Sequence, residues 1–261
     1  MNPLLDPARR LVIGHRGASG EAPENTLAGF ELALAQGADA LELDLRVTAD
    51  GVPVALHDPA LDRTTDRTGP VAALALTEVR AADAGHRLTA DSRTFPWRGR
   101  GVRVPTLAEV LDRFPDVPLL LDLKTPAAAP AVRRLLEERD ATGRCVVASF
   151  HGDALVPFPS PAFARAATRG QTGRLWAASL LGLPLRGGAY ALLAVPEWWH
   201  GLPVPTRRLI RSTRAAGRPV HVWTVNDARA ARRLWSRGVS GIVTDYPGRL
   251  TAERSEAQGG E

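Results

Sequence analysis

Residues 11–46 read LVIGHRGASGEAPENTLAGFELALAQGADALELDLR, and this stretch sets the expectation for the fold. It opens on the short apolar run LVIGH (Leu11–His15), the mark of a buried strand. Asn25 or Thr26 is placed to N-cap TLAGFELALAQ, which stops at Gly37, and Leu27, Phe30 and Leu34 fall on one helical face. ALELDLR (Ala40–Arg46) then alternates apolar and charged residues with the period of a strand. Strand, helix and strand in that order form the unit from which parallel sheets are built.

The same alternation continues down the chain. LLLDLK (Leu119–Lys124), VVASF (Val146–Phe150), FARAAT (Phe163–Thr168), AYALLA (Ala189–Ala194), VHVWTV (Val220–Val225) and GIVTD (Gly241–Asp245) read as further strands, mostly separated by helical segments. Among those segments, LAEVLDRF follows the cap Thr106, and DARAARRLWSRG follows Asn226 as its expected cap. Eight alternating units predict an α/β protein with a single closed (β/α)8 TIM barrel over residues 8–250. An open doubly wound sheet is the alternative, weakened because no G-x-G-x-x-G follows the first strand. Asp50-Gly51 marks a hairpin whose return strand ends at His57. Residues 59–105, rich in Gly, Pro, Arg and Thr with at most a short helix near Thr77–Ala84, read as a small insertion at the barrel mouth. Residues 251–261 are polar and Gly-rich and read as a disordered tail.

Composition excludes several classes. In 261 residues, 44% are apolar and 23% charged, which rules out wholesale disorder, a collagen and a polytopic membrane protein. The single cysteine, Cys145, excludes an intramolecular disulfide framework and a Cys-based zinc or iron–sulfur site. Lys and Arg outnumber Asp and Glu by 33 to 28, with Lys124 the one lysine. The arginines are scattered and aromatics make up 5%, so the charge fits an anionic small molecule better than nucleic acid. No apolar run near Met1 resembles a signal peptide, and Pro184, Arg186, Gly187, Gly188 and Pro196 break up the stretch Leu175–Trp199. The expectation is a cytoplasmic protein without stable membrane insertion. The sequence leaves the oligomeric state open.

In a barrel, chemistry sits where strands end. Those ends carry His15, Arg16, Glu42, Asp44, Asp122, Lys124, Asn226 and Asp245, with His57 arriving from the hairpin. Glu42 and Asp44 are two apart and point to one side. Paired carboxylates repel, and a hard divalent cation resolves the conflict; pairing with arginines on a solvated face is the alternative. Three carboxylates without thiols suit Mg²⁺, Ca²⁺ or Mn²⁺ better than zinc. A two-residue Asp50-Gly51 loop makes paired positions sum to 101 and sets His57 opposite Asp44; a three-residue bulged loop shifts this by one. Asp122 and Lys124 form either a metal ligand beside a cation for a substrate oxyanion, or an internal ion pair. Trp223 is either a substrate wall or core. Leu175–Leu185 with Trp198 and Trp199 is either a greasy lip for an acyl chain, or core and surface helix. Asp245 reads as structural at the rim.

Taken together, His15-Arg16-Gly17, Pro23-Glu24-Asn25-Thr26, Glu42-x-Asp44, Asp50-Gly51, His57-Asp58, Arg63-Thr64-Thr65, Trp223-Thr224-Val225-Asn226 and Thr244-Asp245-x-Pro247 resemble the glycerophosphodiester phosphodiesterase family, in order, from Leu11 to Pro247. The resemblance implies a TIM barrel with a divalent cation. It implies His15 and His57 as the catalytic pair and Glu42, Asp44 and Asp122 as metal ligands, Asp122 standing where the family more often has Glu. It implies Arg16 and Lys124 as phosphate contacts, while residues 151–215 match poorly. The implied activity is metal-dependent hydrolysis of glycerophosphodiesters to sn-glycerol 3-phosphate and an alcohol, with water or a neighbouring glycerol hydroxyl as nucleophile. The alternatives are a lipid-directed phosphodiesterase, lysophospholipase D-like or phosphatidylinositol phospholipase C-like with transient lipid contact, and a non-catalytic phospholipid-binding barrel.

Overall fold

The structure, a computed structural model, describes residues 2–183 and 188–259. In chain order its strands are β1 (Leu11–His15), β2 (Ala40–Val47), β3 (Pro53–Ala55), β4 (Leu119–Leu123), β5 (Cys145–Ala148), β6 (Ala164–Arg165), β7 (Leu193–Pro196), β8 (Trp198–Trp199), β9 (Leu202–Pro203), β10 (Val220–Trp223) and β11 (Gly241–Thr244). The helices are α1 (Leu27–Ala35), α2 (Leu76–Arg80), α3 (Leu107–Arg113), α4 (Ala129–Glu138), α5 (Arg169–Leu180), α6 (Arg207–Ala215), α7 (Ala228–Ser236) and α8 (Pro247–Gly259).

Strands β1, β2, β4, β5 and β6 pair in parallel in that order, and β1 pairs on its other edge with β11, β10 and β7. The ring closes between β6 and β7 through a parallel bridge from Ala166 to Leu192, where the Ala167 N–H donates to the Leu192 carbonyl at 2.9 Å. This is the expected (β/α)8 barrel. Inward-facing Leu11, Ile13, Leu120, Val146, Leu192 and Val243 fill it, and Leu4, on an N-terminal 3₁₀ turn, joins the same cluster. Leu41, Leu43, Leu45, Leu119 and Leu121 point outward, fully buried against the helices.

One open reading is resolved, and two expectations need correction. The hairpin register is Leu45↔Ala55, Arg46↔Val54 and Val47↔Pro53, so pairs sum to 100 and Asp44 stands opposite Leu56, one place before His57. The turn has three residues, Ala49, Asp50 and Gly51, with Gly51 in the left-handed region at φ 81°. The Asp50 carboxylate is tied to the Thr48 hydroxyl (2.5 Å) and to the Leu76 N–H (3.0 Å), contacts that a two-residue turn would not place. Of the tail expected to be disordered, residues 251–259 belong to α8, and 260 and 261 lie outside the described residues. Leu250 is fully buried, Glu253 pairs with Arg232 of α7, and Arg254 pairs with Asp39. Finally, α7 is capped by Asp227, whose carboxylate accepts the Ala230 N–H at 2.7 Å, which leaves Asn226 free for another task.

Residues 59–105 leave the barrel between β3 and α3. Val54, Leu56, Leu61, Val71, Val79 and Val104 pack a small core of their own beneath that excursion. Among the described residues no helix is long and apolar enough to cross a membrane. Pro184 and Leu185, part of the apolar segment singled out above, lie outside the described residues.

Candidate active site

The loop after β1 is shaped by three residues in the left-handed region: Arg16 (φ 53°), Gly17 (φ 85°) and Asn25 (φ 55°). A Cβ on Gly17 would sit 2.5 Å from the Gly29 carbonyl carbon and oxygen, so only glycine lets this loop lie against α1. Asn tolerates the left-handed region better than most residues. There Asn25 clamps Asp44 twice: its Nδ2 donates to Asp44 Oδ2 (2.9 Å) and its Oδ1 accepts the Asp44 N–H (3.1 Å).

Asp44 is almost fully buried and held ionised. Burial opposes the charge, but Lys124 Nζ at 2.8 Å from Oδ1 and Arg16 Nε at 2.9 Å from Oδ2 outweigh it, and the carboxyl stays below its usual range. The Arg16 approach is an ion pair rather than a hydrogen bond, because its angle is unfavourable. Arg16 also donates to Glu24 Oε1 at 2.9 Å. Lys124 donates to Asp122 Oδ2 at 2.6 Å as well, which ties Asp122 into the same charged cluster. Burial nevertheless pushes the Asp122 carboxyl upward overall.

Glu42 differs. Its side chain accepts the Arg16 backbone N–H (3.0 Å), and among the described residues no cationic side chain pairs with it. Burial first, then the facing Asp44, pushes its carboxyl up to about 8. Glu42, Asp44 and Asp122 each offer an oxygen, and the three oxygens lie within 4.8 Å of one another. An all-oxygen donor set of this size, with one carboxylate uncompensated, suits a hard divalent cation.

Both histidines are oriented from behind by an aspartate. His15 Nδ1–H donates to Asp245 Oδ1 at 2.6 Å. Asp245 also accepts from Ser19 Oγ (2.7 Å) and Asn226 Nδ2 (2.6 Å). Burial alone would raise the Asp245 carboxyl, but these donors hold it near 2, so it can only accept. The tautomer follows: Nδ1 of His15 carries the proton and Nε2 faces the cavity. Burial works to lower the His15 pKa, yet the Asp245 hydrogen bond and the charge of Glu42 prevail and the net direction is up. His57 Nδ1–H donates to Asp58 Oδ1 at 2.6 Å, and Arg63 Nε donates to Asp58 Oδ2 at 2.5 Å. Against the burial penalty, those two donors hold Asp58 near 2 as well. Arg63 reaches on to Glu24 with NH1 and NH2, at 2.8 and 2.6 Å, which ties the His57 side of the mouth to the Arg16 side.

All eight residues singled out for chemistry, His15, Arg16, Glu42, Asp44, His57, Asp122, Lys124 and Trp223, line one cavity of about 440 Å³. The Trp223 ring packs edge-on against Phe150, with centroids 5.8 Å apart. Asp245 is not merely a rim residue, since it fixes the tautomer of His15. Its signal was present in the sequence as an aspartate just past the last strand, where a barrel keeps functional groups. Asp58 was likewise visible beside His57, whereas the tie from Asn226 to Asp245 depends on a loop contact that spacing does not show.

Residues 15–249 match the family described as the glycerophosphoryl diester phosphodiesterase family. The chain is 33% identical to a glycerophosphodiester phosphodiesterase of Bacillus subtilis, over 94% of this chain and 86% of that one. Among solved structures it resembles a glycerophosphoryl diester phosphodiesterase domain from Mycobacterium tuberculosis (TM-score 0.84, 23% identity, 95% of this chain and 99% of that one). It also resembles an Oleispira antarctica phosphodiesterase in complex with its product sn-glycerol-3-phosphate (TM-score 0.74, 28% identity, 94% and 96%).

Proposed function

Since the chain belongs to the glycerophosphoryl diester phosphodiesterase family and is a phosphodiesterase of that type, we propose that it hydrolyses glycerophosphodiesters to sn-glycerol 3-phosphate and an alcohol, with Glu42, Asp44 and Asp122 holding a divalent cation. The observation that carries this reading is the convergence of three carboxylates and two aspartate-oriented histidines on one cavity. The product named for the Oleispira relative supports the glycerol phosphate assignment.

Glu42, Asp44 and Asp122 would hold the cation, which would supply electrostatic stabilisation to negative charge on the phosphoryl oxygens. Mg²⁺ and Ca²⁺ fit the oxygen donors best, with Mn²⁺ next. Arg16 and Lys124 stand at the same cluster and take the phosphate oxygens, Arg16 as a planar fork and Lys124 as a point charge. With Nδ1 protonated on both rings, each histidine presents Nε2 to the substrate. One withdraws the proton of the attacking hydroxyl and the other, in its protonated form, delivers a proton to the departing alkoxide. Asp245 and Asp58 stabilise whichever imidazolium forms, as ionised partners do in acid–base pairs. Trp223 and Phe150 give the cavity an aromatic wall beside these groups.

The test is a product assay over glycerophosphocholine, glycerophosphoethanolamine and glycerophosphoglycerol, each with Mg²⁺, Ca²⁺ and EDTA. sn-Glycerol 3-phosphate and free alcohol in equal amounts are expected. A folded protein that binds these diesters and returns them uncleaved in every metal would make it a binding barrel.

A further inference from the structure

Five ionisable side chains cross the mouth of the barrel in one hydrogen-bonded line: Arg16, Glu24, Arg63, Asp58 and His57. The two ends of the line border the active-site cavity, and the three middle members do not. Two separate pieces of chain are joined in this way. Arg16 and Glu24 stand on the loop between β1 and α1, where the Asn25 N–H donates to the Arg16 carbonyl at 3.0 Å and holds the loop closed. Arg63 stands in the excursion after β3, on a turn pinned by Thr65. That threonine is fully buried, and its hydroxyl donates to the Leu61 carbonyl at 2.9 Å.

Arg63 is the joint. All three of its guanidinium nitrogens are engaged: Nε with Asp58 at 2.5 Å, and NH1 and NH2 with the two oxygens of Glu24 at 2.8 and 2.6 Å. One planar group thereby sets two carboxylates on different segments, which the single nitrogen of a lysine cannot do. Glu24 also accepts Arg16 NH1 at 2.9 Å. Burial works against the Glu24 charge, but the Arg63 hydrogen bonds and the charge of Arg16 outweigh it, and the carboxyl stays below its usual range. Each end of the line keeps one nitrogen in reserve. Arg16 commits Nε to Asp44 and NH1 to Glu24, and His57 commits Nδ1 to Asp58. Arg16 NH2 and His57 Nε2 are left without partners among the described residues. Ion pairs made by a side chain as exposed as Arg63, at 47%, add little to folding stability, so the line is weak as a brace for the fold.

We infer that Glu24 and Arg63 are positioning residues that hold the phosphate contact Arg16 and the proton-transfer residue His57 at one fixed separation, so that the two act on substrate as a unit. The inference rests on the phosphodiesterase reading above. The proton that His57 moves sits on an oxygen entering or leaving the phosphorus whose other oxygens Arg16 holds. A displacement of about 1 Å between the two side chains misaligns that transfer, even while each keeps its own carboxylate. Glu24 and Arg63 reach the substrate only through Arg16 and His57. If Asp58 braced His57 and Glu24 braced Arg16 separately, two independent effects would result. A line running through Arg63 gives one shared effect.

The experiment is a double-mutant cycle in kcat/KM on glycerophosphocholine, using the full chain with divalent cation and a thermal melt for each variant. Glu24→Gln and Asp58→Asn are made singly and together; they touch opposite sides of Arg63. Each single change is expected to cost about 10- to 100-fold. The double variant is expected to fall short of the product of those losses by more than about twofold, because either change alone already undoes the line. Arg63→Met is expected to lower kcat and raise KM together, and Arg63→Lys to stay closer to Arg63→Met than to the wild type. Losses that multiply to within about twofold overturn the inference and leave two separate braces. Wild-type kcat and KM in folded Arg63→Met, or full recovery in Arg63→Lys, overturn it as well. The cycle and the Arg63 pair stand independently, so either decides the matter if a variant of the other does not fold. In all these outcomes the wild type still cleaves glycerophosphocholine. A wild type that does not, with Mg²⁺, Ca²⁺ or Mn²⁺, overturns the phosphodiesterase reading and the inference with it.

Discussion

The mouth of the barrel has two halves built on one plan with opposite chemistry. Strands β1, β2, β4 and β11 bring His15, Glu42, Asp44, Asp122 and, just beyond the last strand, Asp245 to the rim. Strands β5, β7 and β10 bring Ala148, Ala194 and Trp223 to the cavity wall, joined by Ala166 just past β6. The backbone is alike in both. What differs is whether the cavity-lining residues near the strand ends ionise. The ionisable side chains of the cavity wall and its apolar ones thereby come largely from different strands.

The comparison breaks most visibly at the histidines. His57→Ala is expected to lower kcat by roughly 10²- to 10⁴-fold with a smaller change in KM, the scale of a lost general acid or base. The side chain is partly exposed, so the melting temperature should hold. Steady-state kinetics beside a thermal melt check it, and wild-type turnover in the folded variant would remove His57 from the reaction.

Asp245→Asn comes next. It keeps the shape of the His15 partner and removes its charge, so the imidazole loses both its fixed tautomer and the stabiliser of its protonated form. A drop of about 10- to 100-fold in kcat is expected, by analogy with the loss of outer-shell partners. The His15 pKa, followed by NMR titration, should fall as the carboxylate that raises it disappears. An unmoved titration would show that Asp245 only braces the loop.

The smallest effect sharpens the comparison at Asp122, on the border between the halves. As a metal ligand, Asp122→Asn should raise the metal concentration at half-maximal activity by about tenfold, with partial rescue at high metal, while Asp122→Glu keeps most of the affinity. If Asp122 serves only Lys124, at 2.6 Å, the three activity curves against free metal superimpose.

The charged half was legible in the sequence because each of its residues is the wrong type for its neighbours. Glu42 and Asp44 interrupt a leucine-rich strand with period two, and Lys124 is the lone lysine among arginines. The apolar half was not legible, because an alanine at the end of a buried strand looks the same whether it abuts core or floors a cavity. The split reading of Trp223 has the same origin: its ring joins the inner core cluster and lines the cavity at once. The hairpin register was left open by one residue for a different reason. Its turn is set by the Asp50 tie to Leu76, a contact that reaches 26 positions along the chain. The terminal helix was missed because its polar composition hides one buried stripe, Leu250 and Glu253, anchored to α7.

The central claim is that Glu42, Asp44 and Asp122 form the cation site of a phosphodiesterase, and one titration addresses it most directly. Protein stripped with EDTA is dialysed and assayed on glycerophosphocholine as Mg²⁺ or Ca²⁺ is added, while isothermal calorimetry follows binding of the ion. The expected result is no turnover without metal and recovery that tracks a single binding event, with Glu42→Gln losing both together. Full turnover in excess chelator, from protein in which elemental analysis finds no divalent ion, would contradict it.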